Sequence, residues 1–455
     1  MSISPGSRSA GRASGGRETA GTAGGRGPPG TASGSSFPRP SWGRWRWGTG
    51  RTSGRGGLKV NDMNHLEPYR TDHLLLLVGA NPLPNYVAAL LLSKKGGTIH
   101  LLNSKGTEEI KNLLEQAINN RDLDVNVVPH EVDEARGHRI YKATKQILEE
   151  IKKISPGKSI GLHYTGGTKA MSVHIHRAFK EEFPEGIASY LDARTISMVI
   201  DGTDEPIKLN RMNMDFNINL GELISLHGYL PPDINKTPFE TDLYQEIISV
   251  YSEDKSLKDW RGWVQSGLNS LPENKYPRLN NFKSKLDEIF GGEATPESLA
   301  NYLGYKQLPN CKIWLEGKWL EQYTLKSIAD IAQKCQIASY SIDLMLNNNK
   351  DRAMQIDLAA VRGYQLFAIS CKASKGKEAC KEHLFEVYIR ARQIGGDEAR
   401  IGLICCYPDP AALQQEIKES WFTEGHVRIF GIKDLPELAA RLEEWFDTAN
   451  DSKTT

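Results

Sequence analysis

The sequence SIGLHYTGGTKAMSVHIHRAFKEE, residues 159–182, predicts a strand, a glycine-containing loop and a helix in succession. Its apolar start predicts a buried strand over Ser159–Tyr164, and the apolar spacing after the loop predicts a helix over Ala170–Glu182. In the loop, Gly166 and Gly167 let backbone N–H groups approach an anion, and the N-terminus of the helix adds partial positive charge. This arrangement is typical of α/β proteins, which bind ligands at the carboxyl ends of their strands.

The same alternation of strands and helices continues on both sides of this segment. It predicts a mainly parallel sheet that is covered by helices on both faces. Further strands are predicted at His73–Val78, Thr98–Leu102, Val125–Pro129, Ala188–Leu191 and Ser197–Asp201, and further helices at Tyr86–Ser93, Thr107–Asn119 and His138–Lys153.

A second loop, Gly79-Ala80-Asn81-Pro82, follows the first predicted strand. Neither loop is a GxxxxGK[ST] Walker A motif or a GxGxxG dinucleotide fingerprint, which argues against ATP hydrolysis and hydride transfer. The alternative for the Gly166-Gly167 loop is a tight strand-to-helix turn that binds no ligand. A metal site at His174 and His176 is disfavoured because positions two apart do not share a helix face.

The charge of the 455-residue chain is unevenly distributed. Residues 1–57 carry a net charge of +8 and 16 of the 42 glycines, whereas the remainder carries −7. A mildly acidic remainder argues against a protein that coats nucleic acid with its whole surface. Residues 1–62 are predicted to be a disordered Gly/Arg/Ser-rich leader because they offer little apolar surface to offset the entropy of ordering. We expect an over-extended start with Met63 as the initiator; the alternatives are an RNA-binding arginine–glycine tail and an organelle transit peptide.

The sequence also limits where the protein works. It contains no run of about 20 apolar residues that would predict a membrane helix, and residues 1–57 lack the apolar core of a signal peptide. All six cysteines lie in the second half, without a CxxC pair. They predict reduced thiols in a cytoplasmic protein rather than disulfides or structural zinc.

A linker with two prolines, Tyr229–Asp233, predicts a domain boundary. We expect one domain over 63–229, a mostly helical part over 230–305 and a second α/β unit over 306–455. The second unit is predicted to contain the helices Trp319–Cys335, His383–Ile394 and Pro436–Ala449 and the strands Gln355–Arg362, Gln365–Lys372 and Arg400–Cys406. The first two of these strands form a predicted hairpin.

A carboxylate and a lysine interrupt the apolar pattern of this hairpin. Asp357 lies near the start of its first strand and Lys372 at the end of its second, so antiparallel pairing brings them to the same end of the sheet. Metal-dependent phosphodiester hydrolysis needs such groups, because a carboxylate can hold Mg²⁺ or Mn²⁺ while a lysine orients water and balances charge. The alternative is a buried Asp–Lys pair with a structural role.

The segments Val78–Pro82 and Leu162–Met171 resemble the CRISPR-associated Rossmann-fold (CARF) sensor domain, and the resemblance covers about Asn64 to Tyr229. It implies a homodimer that binds a cyclic oligoadenylate, for example cyclic tetraadenylate, across its two-fold axis. The implied ligand-binding residues are Gly79, Ala80, Asn81, Pro82, Thr165, Gly166, Gly167, Thr168 and Lys169.

The hairpin resembles the core of the PD-(D/E)xK nuclease superfamily. The resemblance implies catalytic roles for Glu321, Asp357 and Lys372, and it implies that Glu321, Asp357 and the carbonyl of Cys371 bind Mg²⁺ or Mn²⁺. Ser370 stands where this superfamily has an acidic residue, and a hydroxyl is a weak ligand for a hard cation. Glu386, on the helix that follows, is a further candidate for a helper role, or else a solvated helix residue.

Together, the two resemblances imply an α/β chain with an N-terminal Rossmann-like CARF domain and a C-terminal restriction-endonuclease-like domain. Such chains are similar to the standalone effector nucleases of type III CRISPR antiviral defence. We expect a cytoplasmic homodimer that cleaves DNA or RNA when cyclic oligoadenylate binds. The alternatives are a non-catalytic regulator that senses the same ligand and binds nucleic acid, and a restriction or repair nuclease with a different ligand sensor. RNA cleavage by a HEPN domain is disfavoured, because the second half lacks its spacing of Arg and His.

Overall fold

The computed structural model describes residues 65–209, 217–268, 270, 272, 275–347, 353–421 and 425–451. The predicted leader over 1–62 and the expected initiator Met63 lie outside the described residues. Within the described residues the chain forms two β-sheets with helices packed against them.

The N-terminal half is built around a seven-stranded sheet. Its strands are β1 (Thr71–Leu77), β2 (Ser93–Asn103), β3 (Asn126–Glu131), β4 (Ile160–His163), β5 (Ile187–Asp192), β6 (Ser197–Ile200) and β7 (Ile207–Lys208). Its helices are α1 (Leu83–Leu92), α2 (Glu108–Asn120), α3 (Gly137–Ile154), α4 (Lys169–Glu182) and α5 (Leu220–Leu226). The strand order is β3-β2-β1-β4-β5-β6-β7, in which β1 to β5 pair in parallel and β6 and β7 are antiparallel. The predicted Rossmann-like α/β class is confirmed.

The leucine run of β1 explains why this strand lies in the middle of the sheet. Leu75 and Leu77 belong to the core beneath α3 and α4, whereas Leu74 and Leu76 belong to the core on the opposite face, with α1. A strand that is apolar on both faces is stable only where helices cover both faces of the sheet.

The C-terminal half is built around a five-stranded sheet in the order β12-β11-β10-β9-β8. Its strands are β8 (Ile337–Asn347), β9 (Ala353–Arg362), β10 (Gln365–Lys372), β11 (Arg400–Cys405) and β12 (Val427–Phe430). The helices after α5 are α6 (Leu243–Ser252), α7 (Asp254–Gln265), α8 (Asn280–Phe290), α9 (Pro296–Tyr302), α10 (Leu308–Ile313), α11 (Trp319–Ile331), α12 (Lys377–Gly395), α13 (Pro410–Trp421) and α14 (Leu438–Thr448). The strands β8, β9 and β10 are antiparallel, and β10, β11 and β12 are parallel.

The predicted hairpin is present as β9 and β10, but β8, α10, α13 and β12 were not predicted. The helix predicted to reach Cys335 ends at Ile331, and β8 begins at Ile337 after Gln336 takes a left-handed φ of 55°. A π-helical turn over Trp314–Lys318 precedes α11. This turn and β8 both contribute side chains to the second of the two sites described below.

The two sheets share an apolar core. Leu74 and Leu76 of β1 belong to the same buried cluster as Leu366 and Ala368 of β10. The other face of the second sheet packs against α11 and α14, in a cluster that also includes Trp260 of α7 and Phe282 of α8. The segment between the sheets therefore contributes to the core of the C-terminal half.

All six cysteines, each in the C-terminal half, are free and buried. Among the described helices, none combines the length and the apolar character that a bilayer span requires.

Two candidate functional sites

The first site lies at the carboxyl ends of β1 and β4, which are adjacent parallel strands. Gly79 follows β1, and Gly166 and Gly167 follow β4. The two loops touch: a Cβ on Gly166 would lie 1.9 Å from the carbonyl oxygen of Leu77, and one on Gly79 would lie 2.9 Å from the amide nitrogen of Gly167. Gly167 also has a φ of 77°, which favours glycine. These glycines are therefore required for the contact between the loops.

The threonine hydroxyls of this loop form hydrogen bonds within the protein. The Thr165 hydroxyl accepts a hydrogen bond from the Leu191 amide at 2.7 Å and lies 2.8 Å from Nε2 of His163. The Thr168 hydroxyl caps α4 by accepting from the Met171 amide, and it donates to the Glu134 carbonyl at 2.6 Å. Lys169 is exposed at the first position of α4. The loop thus presents a helix N-terminus, glycine backbone and one exposed ammonium group.

Asn81 does not join this group. Its amide nitrogen donates to Oε2 of Glu398 at 3.4 Å, and its amide oxygen accepts from the Leu83 amide and lies 3.3 Å from Nε2 of His227. Of the other residues in the loop after β1, Ala80 is exposed and Pro82 is buried. The structure therefore brings together Thr165–Lys169 and Gly79, while the Asn81 side chain faces Glu398 of the C-terminal half.

A cavity of about 580 Å³ lies beside this site, at the carboxyl ends of β2 and β3. Its lining includes Lys105, Glu134, Arg136 and Arg139, and Asp133 forms ion pairs with both arginines. The bond from Thr168 to Glu134 joins the cavity to the Gly166-Gly167 loop. Sequence reasoning missed these residues, although their position directly after two predicted strands is the signal that could have found them.

The second site lies where β10 ends. The Asp357 carboxylate accepts two hydrogen bonds at Oδ2, from the Ser370 hydroxyl at 2.8 Å and from the Cys371 amide at 2.9 Å. Ser370 is therefore a donor to Asp357. The antiparallel pairing of β9 and β10 creates this contact.

Glu321 joins the site through Lys318. The Lys318 ammonium lies 2.7 Å from Oε2 of Glu321 and 2.6 Å from Oδ1 of Asp343. Asp343 also accepts from Gln355 at 2.9 Å. Sequence reasoning missed both Lys318 and Asp343, because Asp343 lies on the unpredicted strand β8 and Lys318 in the unpredicted π-helical turn.

Asp343 on β8 lies opposite Asp357 on the neighbouring strand β9. The neighbouring pairs in the register are Ile342 with Leu358 and Leu344 with Ile356. Asp343 has a left-handed φ of 51°, which is unusual for a residue with a side chain. Such strain occurs mainly where surrounding structure or function requires it.

Burial and charge shape the protonation of this site. Burial raises the pKa of Glu321 to about 7; Lys318 opposes this shift, and Asp357 and Asp343 add to it. Burial lowers the pKa of Lys318, but its hydrogen bonds to Asp343 and Glu321 outweigh burial, so the pKa is raised overall. Lys318 is therefore the internal counter-charge of Glu321 and Asp343.

Lys372 is half-buried at the end of β10. Burial lowers the pKa of His383 on α12; the charge of Lys372 lowers it further, and that of Asp357 raises it. Lys372 and Asp357 thus act on the same histidine from either strand of the hairpin. Glu386 pairs with Arg390 on the surface of α12.

The residues of the second site suit a hard divalent cation in part. Among the described residues, no group of three His, Cys, Asp or Glu side chains has the geometry to hold a metal ion. Glu321 and Asp357 nevertheless supply carboxylate oxygens, and Mg²⁺ is commonly bound by one or two carboxylates with several waters. The fit is therefore to an ion that takes its remaining ligands from backbone, water or substrate.

Solved structures share this fold. The protein VC1899 from Vibrio cholerae is 15% identical, with a TM-score of 0.62 over 83% of this chain and 98% of its own. Can2 from Sulfobacillus thermosulfidooxidans, solved in complex with cyclic tetra-adenylate, is 14% identical, with a TM-score of 0.57 over 82% of this chain and 99% of its own. A type III CRISPR defence DNA nuclease activated by cyclic oligoadenylate is 17% identical over 73% of this chain and 45% of its own. Its TM-score of 0.43 is too low to establish a shared fold.

No protein-family model matches the chain. No curated protein sequence matches it either. At 14–15% identity, the two close structural similarities establish an α/β fold with a Rossmann-like sheet and a second sheet.

Proposed function

We propose that this chain is a metal-dependent nuclease whose activity is switched on by a cyclic oligoadenylate. The observation that carries the proposal is the group of Glu321, Asp343 and Asp357 at the end of the strand that carries Lys372. Two carboxylates share the Lys318 ammonium and a third, Asp357, lies opposite Asp343, which is more than a single structural ion pair needs. The shared fold with Can2, which was solved with cyclic tetra-adenylate, supports the choice of activating ligand.

We assign Mg²⁺ or Mn²⁺ to Glu321 and Asp357, with the carbonyl of Cys371 as a further ligand. Both hydrogen bonds to Asp357 go to Oδ2, so Oδ1 is the oxygen we assign to the ion. When bound, such an ion polarises the phosphate and lowers the pKa of a bound water. Lys372 would orient that water and neutralise charge on the phosphate, and Ser370 would keep the Asp357 carboxylate in place.

For the N-terminal half, we assign the adenylate phosphates to the backbone of Gly166 and Gly167 and to Lys169. A helix N-terminus favours an anion, and the exposed ammonium adds a full charge. Thr165 and Thr168 would hold the loop in shape, because their hydroxyls are bonded within the protein. We further propose that two copies of the chain bind one ring across a two-fold axis.

The test is a cleavage assay on labelled DNA and RNA with Mn²⁺, with and without cyclic tri-, tetra- and hexaadenylate. We expect cleavage that rises sharply with one ring size. Calorimetry should give one ring per two chains. Lack of cleavage of both substrates with all three rings would contradict the proposal.

The internal ion pairs favour a second candidate, a non-catalytic regulator that senses the same ligand and binds nucleic acid. Lys318 already neutralises Glu321 and Asp343, and Ser370 and Cys371 already bind Asp357. Titration of Mn²⁺ into the wild type and Asp357→Ala separates the two candidates. The nuclease requires binding that the substitution weakens, whereas the regulator requires none.

A further inference from the structure

One contact joins the loop after β1 to the C-terminal half. The turn Gly395–Ala399, which links α12 to β11, meets the side chain of Asn81. Gly396 has a φ of 60°, and a Cβ on it would lie 2.0 Å from the amide nitrogen of Asn81. The close approach leaves no room for either group to move towards the other.

The side chain of Asn81 is engaged at both ends. Its nitrogen donates to Glu398, and its oxygen accepts from the Leu83 amide and contacts His227. The Asn81 nitrogen carries two N–H groups, and one of them is donated to Glu398. A ligand acceptor that takes this N–H displaces Glu398.

Glu398 is fixed on its other side. Only 1% of its surface is exposed. Its carbonyl accepts hydrogen bonds from Gln365 at 2.8 Å and from Arg400 at 2.9 Å, and Arg400 also donates to the Arg194 carbonyl of the N-terminal half at 3.2 Å. A shift of Asn81 would thus act on the turn Gly395–Ala399, which several buried hydrogen bonds hold in place.

Both elements that leave this turn lead to Lys372. Along β11, Cys405 is paired with Lys372 in the register of β10 and β11. Along α12, His383 feels the charges of both Lys372 and Asp357. A displacement of the turn would be passed along a strand and a helix to both sides of the second site.

We propose that the contact between Asn81 and Glu398 is the coupling element between the ligand loop and the nuclease site, and that ligand binding at the loop competes with it. This inference rests on the proposed function. The contact opposes both ligand binding and activity, so its removal promotes both. By thermodynamic linkage, it changes ligand affinity and the active population by related factors.

The test compares four variants in the full chain. Glu398→Ala removes the carboxylate that accepts from Asn81. Glu398→Asp shortens the side chain by one methylene and replaces the alanine variant if that variant is unstable. Glu398→Gln keeps an acceptor oxygen at the same distance. Asp397→Ala, at the exposed neighbour that pairs with Arg392, is the matched control.

For Glu398→Ala and Glu398→Asp we expect cleavage without ligand to rise about fivefold, and the Kd for cyclic tetra-adenylate to fall by up to the same factor. Glu398→Gln and Asp397→Ala should match the wild type in both measurements. The inference is overturned if Glu398→Ala equals Asp397→Ala in both, or if Glu398→Gln changes as much as Glu398→Ala.

Amide hydrogen exchange distinguishes failure of the inference from failure of the proposed function. Because Leu83 donates to Asn81, its amide should exchange faster in Glu398→Ala than in Asp397→Ala. If the wild type neither binds any ring nor cleaves, the proposed function fails, and faster exchange would then mean that the contact is structural only. In that case the coupling inference is overturned as well.

Discussion

The loop after β4 presents backbone amides, hydroxyls bonded within the protein and one exposed lysine, whereas the second site places Glu321 and Asp343 on the Lys318 ammonium and Asp357 against the end of β10. The first site consists of Thr165–Lys169 and Gly79, and the second draws on β8, β9, β10, α11 and the π-helical turn. A site made of backbone is shaped by local conformation, so its chemistry is fixed once the loop forms. A site made of charges depends on its neighbours, because each buried carboxylate needs a nearby cation to remain ionised.

The largest expected effect tests whether the charged site is the catalytic one. Asp357→Ala should lower Mn²⁺-dependent cleavage roughly a thousandfold, about 4 kcal/mol in the activation barrier, because it removes a metal ligand. Binding of cyclic tetra-adenylate, measured by calorimetry, should be unchanged. Asp330→Ala, at an exposed residue of α11 that pairs with Lys326, is the control and should cleave normally. Equal loss in both variants would contradict the assignment.

The backbone-built site is tested by adding a single methyl group. In Gly166→Ala the new Cβ would lie 1.9 Å from the Leu77 carbonyl oxygen, so the two loops must separate. We expect the free energy of unfolding, measured with urea, to fall by about 3 kcal/mol. Gly292→Ala adds the same methyl group where no atom lies within 4 Å and should change stability little. A fully stable Gly166→Ala would show that the loops need no such contact.

The junction between the two sites has its own pH dependence. Burial raises the pKa of Glu398 from 4.5 to about 7. Between these values the folded chain holds a proton that the unfolded chain has lost, so the free energy of unfolding falls as pH rises, by at most about 3 kcal/mol, and levels off above the window. Urea unfolding across this range should reveal the fall in the wild type. Glu398→Gln should lack this component, and a curve identical to the wild type would contradict the assignment.

The smallest expected effect tests whether Asp343 belongs to the charged site. Asp343→Asn removes one carboxylate charge opposite Asp357, and we expect the affinity for Mn²⁺, measured by calorimetry, to fall about tenfold. Asp330→Asn is the matched control on the exposed face of α11. A normal affinity in Asp343→Asn would assign Asp343 a structural role with Lys318 only.

The same difference explains what could be predicted from the sequence. The five parallel strands, the helices between them and the Gly166-Gly167 loop follow from apolar runs and local glycines, which the sequence displays directly. The pairing of Asp357 with the end of β10 also followed, because a hairpin fixes its own register. Asp343 did not, since no strand was predicted between the helix over Trp319–Cys335 and the hairpin, although the polar–apolar alternation of β8 is a signal for a strand.

The contact that Asn81 makes could not be predicted from the sequence either. Its place after β1 predicted a ligand contact, but its partner, Glu398, lies 317 residues further along the chain. Only the shared core of the two sheets brings these residues together. Likewise, the roles of Thr165 and Thr168 as internal anchors depend on Leu191 and Glu134, on other strands and loops.

The distribution of buried thiols offers a practical handle. Because all six sulfhydryls lie in the C-terminal half and are shielded from solvent, a chromogenic disulfide reagent can modify them only when that half opens. The rate of colour development would therefore measure how fast the C-terminal half opens, without an added label. Repeating the measurement with each adenylate ring would show whether ligand binding at the Gly166-Gly167 loop slows thiol modification in the C-terminal half.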